Sequence, residues 1–351
     1  MLPNDEGIRD FRDPKVVWYA PGEVWVMVLA AGDHVKFYES DNLLQWRHLS
    51  DFGAGEGTAD VGVEIGIWEC PDFLPMRVAG ADEERWVLLA SINDGAPNGG
   101  TGTQYFVGDF DGTRFTLDAA FAADVADGQF VWLDYGRDNY AGVTWTNAPA
   151  RDGRALFIGW MSNWQYAQVV PTERWRSATT VSRELTLRST AEGYRLHSQP
   201  VKELTALRGS GVSLDSATQA LEGGLADIEL TFVLAAGATD PLGVELSNAA
   251  GERYRVGYDP ATHEYFSDRS QAGAADFHEG FATQARAPRE ATSDTLRMRL
   301  LADWSSAELF ADGGATVMTE VFFPSAPFDR VRLLGGASIH EARAFPLERI
   351  W

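Results

Sequence analysis

Three short segments set charged side chains among apolar and aromatic ones, where they could do chemistry. The first is Asp10-Phe11-Arg12-Asp13-Pro14-Lys15-Val16. A carboxylate beside a guanidinium can grip a hydroxylated ligand at two points, and the proline that follows favours an extended backbone at Asp13. The plain alternative is a surface ion pair at a strand start. The second is Ile67-Trp68-Glu69-Cys70-Pro71-Asp72-Phe73. A carboxyl group flanked by Trp68 and Cys70 has the apolar setting that suits a general acid. The plain alternative is a carboxylate at a turn before Pro71. The third, Leu133-Asp134-Tyr135-Gly136-Arg137-Asp138-Asn139-Tyr140-Ala141, gathers acidic, aromatic and glycine residues in one tight loop. Carboxylates there can accept from sugar hydroxyls and rings can cover the sugar's C–H face; an Asx turn between strands is the plain alternative. Cys70, with no histidine near it in sequence, reads as a small packed hydrophobe rather than a nucleophile.

The elements that would carry these segments are short strands. Trp25 to Ala30, Val35 to Tyr38, Trp86 to Ile92, Gln104 to Phe110, Tyr140 to Trp145 and Ala155 to Trp160 are rich in aromatic and β-branched residues and bounded by turn formers. Sustained apolar spacing of three and four residues is missing, so few helices are expected. Many short strands with regular turns mean a sandwich, barrel or propeller. Near Val181 to Leu204 the character changes: beyond Arg208 only Trp304 and Trp351 remain of the twelve tryptophans. Ile228 to Val233, Val244 to Ser247, Arg253 to Tyr258 and Leu296 to Leu301 still alternate, which predicts a second all-β domain, a sandwich. The expected domains are 1–200 and 201–351.

The 351 residues are 45% hydrophobic and carry a formal charge of -22. That balance opposes a phosphate backbone, so no nucleic-acid partner is expected, and a neutral or cationic small partner fits better. No stretch of about 18 apolar residues suggests a membrane span. One cysteine excludes an internal disulfide, the six histidines lack zinc-ligand spacing, and neither a metal nor a cofactor is expected. Met1 to Asp10 lacks a leader's basic end and apolar run, which points to the cytoplasm if Met1 is the start of the protein and to secretion if a leader precedes it.

The three segments occur in a definite order with further motifs. These are Gly-Thr-Gln-Tyr-Phe-Val-Gly (102–108), Gly-Trp-Met-Ser-Asn-Trp (159–164), Pro-Thr-x-x-Trp-Arg (171–176) and Ser-Arg-Glu-Leu (182–185). In the second half come Ser267-Asp268-Arg269-Ser270, Ser305 to Phe310 and Phe322-Phe323-Pro324. In this order they resemble glycoside hydrolase family 32, the invertases, levanases, inulinases and related fructosyltransferases. The resemblance implies an all-β chain, a five-bladed β-propeller that is incomplete at its N-terminal side here, followed by a β-sandwich. It implies hydrolysis of β-fructofuranosides such as sucrose, levan or inulin with retained configuration. Asp13 would stabilise the transition state with Arg12 beside it, Glu69 would be the general acid/base, Asp134 and Arg137 would recognise the sugar, and Trp160 would form an aromatic wall.

One part of the pattern is not found. The family's nucleophile lies in a Trp-Met-Asn-Asp-Pro-Asn-Gly-type segment of the first blade, whereas Pro3-Asn4-Asp5-Glu6-Gly7 echoes it only superficially, and Asp5 and Asp10 lie on the approach to Asp13. At roughly 45 to 60 residues per blade, residues 8 to 200 supply three to four blades. The expectation is therefore a fructosidase whose propeller is completed by a missing N-terminal segment or by another chain. A non-catalytic fructan- or sucrose-binding module is the competing reading.

Overall fold

The computed structural model describes residues 3–53, 66–146, 148, 152–215, 217–335 and 339–349. The chain forms two compact units. The first comprises Met1–Leu133, Tyr140–Gly159 and Glu184–His197, and the second Asp134–Asn139, Trp160–Arg183 and Ser198–Trp351.

The first unit is built on antiparallel four-stranded sheets, each a propeller blade. One contains β1 (Phe11–Tyr19), β2 (Val24–Ala31), β3 (His34–Ser40) and β4 (Arg47–Gly53), in that order. The next contains β5 (Trp68–Arg77), β6 (Glu84–Ile92), β7 (Gly102–Phe110) and β8 (Phe115–Leu117). The third runs β9 (Tyr140–Thr144), β10 (Ala155–Met161), then β12 (Arg183–Thr190) and β13 (Gly193–Pro200), with the two-residue β11 (Ala178–Thr179) on β10 at Trp160 and Met161. The strands expected from β-branched and aromatic runs all form, and the described residues give three blades. Several of the aromatic residues that mark this half of the sequence pack within the second blade and across to the first. Phe37 meets Phe73 edge-on with centroids 5.1 Å apart, Trp68 stacks on Phe106 at 5.5 Å, and Phe73 stacks on Trp86 at 4.4 Å. Each such pair adds about 0.5–1.5 kcal/mol beyond the area it buries. The one α-helix among the described residues, Ala119–Ala126, is short and begins where the Asp118 side chain accepts from the amide of Ala120 at 3.0 Å.

The second unit holds two six-stranded sheets whose inward positions alternate as a sandwich requires. In Ala226–Val233, Ile228, Leu230 and Phe232 are buried, while Glu229 and Val233 are exposed. Thr295–Asp303 pairs with this strand and buries Leu296, Met298 and Leu300. No helix among the described residues is long and apolar enough to cross a membrane.

Candidate functional site

The site in the first unit is made by the first strands of neighbouring blades. In β1, Arg12 pairs with Ala30 and Lys15 with Val28, so Asp13 and Pro14 together oppose one residue, Leu29. In β5, Glu69 pairs with Ser91 and Asp72 with Leu89, so Cys70 and Pro71 together oppose Ala90. Both are β-bulges carrying one extra residue. In both, that stretch contains a proline, which has no N–H to give to the ladder. The leading residue of each bulge is left-handed, with φ 60° at Asp13 and φ 47° at Cys70. Asp13 is thus not in the extended conformation that a following proline favours; the bulge overrides that preference. Non-glycine residues in this region cost about 1–3 kcal/mol each and persist where the surroundings impose them, often at functional sites. Ala141 in β9, at φ 52°, is a third instance.

The bulges bring the predicted pair together. An oxygen of the Asp13 carboxylate, Oδ2, accepts from the amide of Cys70, the residue after Glu69, at 3.0 Å. The other oxygen, Oδ1, has no hydrogen bond within the described residues. Arg12 donates through Nη2 to Glu69 Oε1 at 2.8 Å and through Nη1 to Asp10 Oδ1 at 2.7 Å. The Tyr140 hydroxyl donates to Glu69 Oε2. Glu69 therefore sits among polar partners, with a guanidinium at one oxygen and a phenol at the other, rather than in the apolar setting its sequence neighbours suggest. Hydrogen bonds to Asp10 and then Glu69 hold the Arg12 pKa above the ordinary arginine value, so its charge is permanent. Burial, then the bond to Glu69, raises the Tyr140 phenol well above its usual range, so it stays a donor. Burial, with the Asp13 charge next, pushes the Cys70 thiol up to about 12. The raised value keeps the Cys70 thiol protonated, and its backbone N–H is what ties β5 to the Asp13 carboxylate.

A second tier lies three residues further along β1 and β5. Lys15 Nζ is 3.0 Å from Asp72 Oδ1 and donates to the Thr144 carbonyl at 2.7 Å. Thr144 returns both its amide and its hydroxyl to Asp72 Oδ2. Sequence reasoning singled out none of Lys15, Asp72, Thr144 or Tyr140 for a role. The signal that could have found the first two is an internal repeat: superposing Pro14 on Pro71 also matches Arg12 with Glu69, Asp13 with Cys70 and Lys15 with Asp72, all at a separation of 57.

Asp134, Arg137 and Trp160 belong to the second unit. Asp134 is 2% exposed and fully engaged there. It accepts from the amides of Gly136 (2.8 Å) and Thr319 (2.9 Å), from the Thr319 hydroxyl (2.6 Å) and from Arg183 Nη1 (2.9 Å). The bond from Gly136 is the Asx turn that was the plain alternative. Gly136 is obligatory, since a Cβ there would lie 2.0 Å from the Thr319 nitrogen. Arg137 is buried and donates to Thr283 Oγ1 at 3.1 Å and to Gln165. Trp160 is half-buried, its ring 4.9 Å from that of Trp164. Asp138 anchors a second network: Arg269 Nη1 reaches Asp138 Oδ2 at 2.5 Å and Glu320 Oε2 at 2.9 Å, and the Tyr166 hydroxyl donates to Asp138 Oδ1 at 2.7 Å. Asp5 is on an exposed turn and Asp10 is tied to Arg12.

The family model described as "Glycosyl hydrolases family 32 N-terminal domain" matches residues 1–200, and that described as "Glycosyl hydrolases family 32 C terminal" matches residues 186–345. The chain is 38% identical to a levanase of Bacillus subtilis (strain 168), over all of this chain and 52% of that protein. It is 32% identical to an extracellular exo-inulinase of Aspergillus awamori, over 97% of this chain and 65% of that one. The crystal structure of an exo-inulinase from Aspergillus awamori superposes with a TM-score of 0.88 at 30% identity, covering 100% of this chain and 70% of that one. A β-fructofuranosidase from Schwanniomyces occidentalis complexed with fructosyl-erythritol superposes with a TM-score of 0.79 at 25% identity, covering 99% and 73%. The chain thus spans between about half and two-thirds of the length of these curated relatives. Blades, bulged first strands, sandwich and sequence agree: the chain belongs to glycosyl hydrolase family 32.

Proposed function

We propose that this chain carries the acid/base and stabilising half of a retaining hydrolysis of β-fructofuranosides: sucrose, fructo-oligosaccharides, levan or inulin. The observation that carries the reading is the joined pair of bulges, which sets Asp13 and Glu69 side by side with Arg12 between β1 and β5. Glu69 gives a proton to the leaving oxygen and later takes one from water. Asp13, held by the Cys70 amide at one oxygen, offers the other to sugar hydroxyls, where hydrogen bonds to a developing oxocarbenium ion stabilise it. Arg12, braced by Asp10, orients Glu69. The sugar is the small-molecule partner. The domain boundary belongs near residue 200, a placement supported by the two family models, which overlap there.

Retention needs a second carboxylate as nucleophile, and none of the described carboxylates adjoins Asp13 and Glu69 unpaired. Turnover by these 351 residues alone is therefore expected to be low, and supplying a segment with the missing motif, or a chain that carries it, is expected to raise it. The test is fructose release from sucrose, levan and inulin, with the Glu69→Gln variant beside the parent. Loss of about two to four orders of magnitude in the variant supports the acid/base role. Equal release by both overturns it. Fructan binding without release in either favours the binding-module reading, which the unfound nucleophile keeps open.

A further inference from the structure

Arg12 with Glu69 and Lys15 with Asp72 are matching positions of two bulged strands, and each couple is joined across β1 and β5. β9 closes both tiers: Tyr140 reaches Glu69 in the upper, and Thr144 clasps Asp72 in the lower. The upper tier meets solvent, with the Arg12 side chain 36% and the Glu69 side chain 17% exposed, whereas Asp72 is at 0%. Between the tiers lie the two prolines and the two left-handed residues, one of which is Asp13 itself. The ladder register skips these residues in both strands, and a bulge disrupts the ladder locally, so the ladders of β1 and β5 constrain them less than their neighbours. The lower tier does so from one side: it pins the residue after each bulge to the neighbouring strand.

We propose that Lys15, Asp72 and Thr144 are a positioning set whose task is to hold the two bulges in the shape that aims Asp13 and Glu69, a reading that rests on the acid/base role proposed for Glu69. The set touches no substrate. It acts through the backbone of residues 13–14 and 70–71. A buried carboxylate that accepts an amide and a hydroxyl from one strand at Oδ2, and faces an ammonium from another at Oδ1, has essentially one arrangement, and a bulge attached to it inherits that arrangement. Loss of the Thr144 hydroxyl, or of the Asp72 charge, frees the bulges to relax toward ordinary backbone, and the Cys70 amide then leaves Asp13.

Cys70 makes this measurable without turnover, because it is the only cysteine of the chain and lies inside the β5 bulge. The purified 351-residue protein is treated with iodoacetamide under native conditions and the alkylation rate at Cys70 followed by mass spectrometry. Asp72→Asn and Thr144→Val are compared with the parent, with Thr144→Ser, and with Val87→Ala, a core variant of β6 chosen to match their loss of thermal midpoint. The expected result is alkylation at least about tenfold faster in Asp72→Asn and Thr144→Val than in Val87→Ala, with Thr144→Ser close to the parent. Where fructose release is measurable, kcat falls by up to about a hundredfold with KM little changed, the signature of a displaced reacting group. Alkylation that merely follows the thermal midpoint, or that is equally fast in Thr144→Ser, overturns the positioning role. The Glu69→Gln comparison stands apart: unchanged release there sinks the acid/base reading whatever Cys70 does, while unchanged alkylation sinks the positioning set whatever Glu69 does.

Discussion

At the scale of single residues, three left-handed positions mark the site. Asp13 and Cys70 are joined by a side chain and an amide, whereas Ala141 presents a methyl group and gives its amide to Ser91 Oγ at 3.1 Å, a bond that glycine would keep. Its strain is therefore separable from function. Ala141→Gly is expected to stabilise the protein by about 1 kcal/mol, since glycine adopts this conformation without the Cβ penalty; a urea titration in which the variant melts earlier than the parent would contradict this. Charged and acidic segments were legible as candidates because charges among tryptophans are rare. The environment of Glu69 was not, because its partners Arg12 and Tyr140 are 57 and 71 residues away. Local sequence showed Trp68 and Cys70 and so suggested an apolar pocket. Asp134 and Arg137 were read as sugar-recognising residues with an Asx turn as the plain alternative, and nothing local announced that Arg183 and Thr319 would engage the buried aspartate.

At the scale of elements, buried ions tie strands of the second unit together. Burial pushes the Glu320 carboxyl up to about 7, against the pull of Arg269 and with Asp138 adding to the rise. The groups facing it are Arg269, Asp138, Arg137 and Tyr166. The folded state thus holds a proton there that the unfolded chain, with its ordinary value of 4.5, has released. Stability from this group is fully present below about 4.5 and is lost as pH rises through about 7. Glu320→Gln is expected to flatten the decline of thermal midpoint across that window; an unchanged slope would remove Glu320 as its source. The strands themselves were largely legible, since β2, β3, β6 and β7 are runs of β-branched and aromatic residues. β1 and β5 were not read as strands over their full length. A proline and two charges in the middle of each hide the alternation, and the bulge then shifts its phase by one residue. The two carboxylates, 56 apart in sequence, are accordingly not at matching positions: Asp13 matches Cys70, and Glu69 matches Arg12.

At the scale of the whole chain, the drop in tryptophan near residue 200 suggested a single division, and compactness does not follow one cut. Asp134–Asn139 and Trp160–Arg183 belong to the second unit although they precede that point. A fragment 201–351 would keep Arg269, Glu320 and Glu308 but lose Asp138, Tyr166 and Arg183. Stripping a buried ion of its partner costs about 3–5 kcal/mol. The fragment is expected to be soluble only with difficulty and to show a broad, early thermal transition, whereas 130–351 should melt more sharply and higher. Equal, cooperative melting of the two would show that the loop networks add nothing. Sequence alone could not reveal this, because an arginine paired across 131 residues looks the same as any surface arginine.

The matching bulges also bear on descent. A blade that arises as a copy of its neighbour receives the extra residue, the proline and the left-handed turn together, and with them a side chain already aimed where its template aimed one. Asp13 and Cys70, or Arg12 and Glu69, differ only in which amino acid occupies a shared frame. Acquiring a second catalytic group then requires a codon change rather than the invention of a new piece of backbone, and a catalytic centre can be assembled by duplication followed by substitution at four addresses.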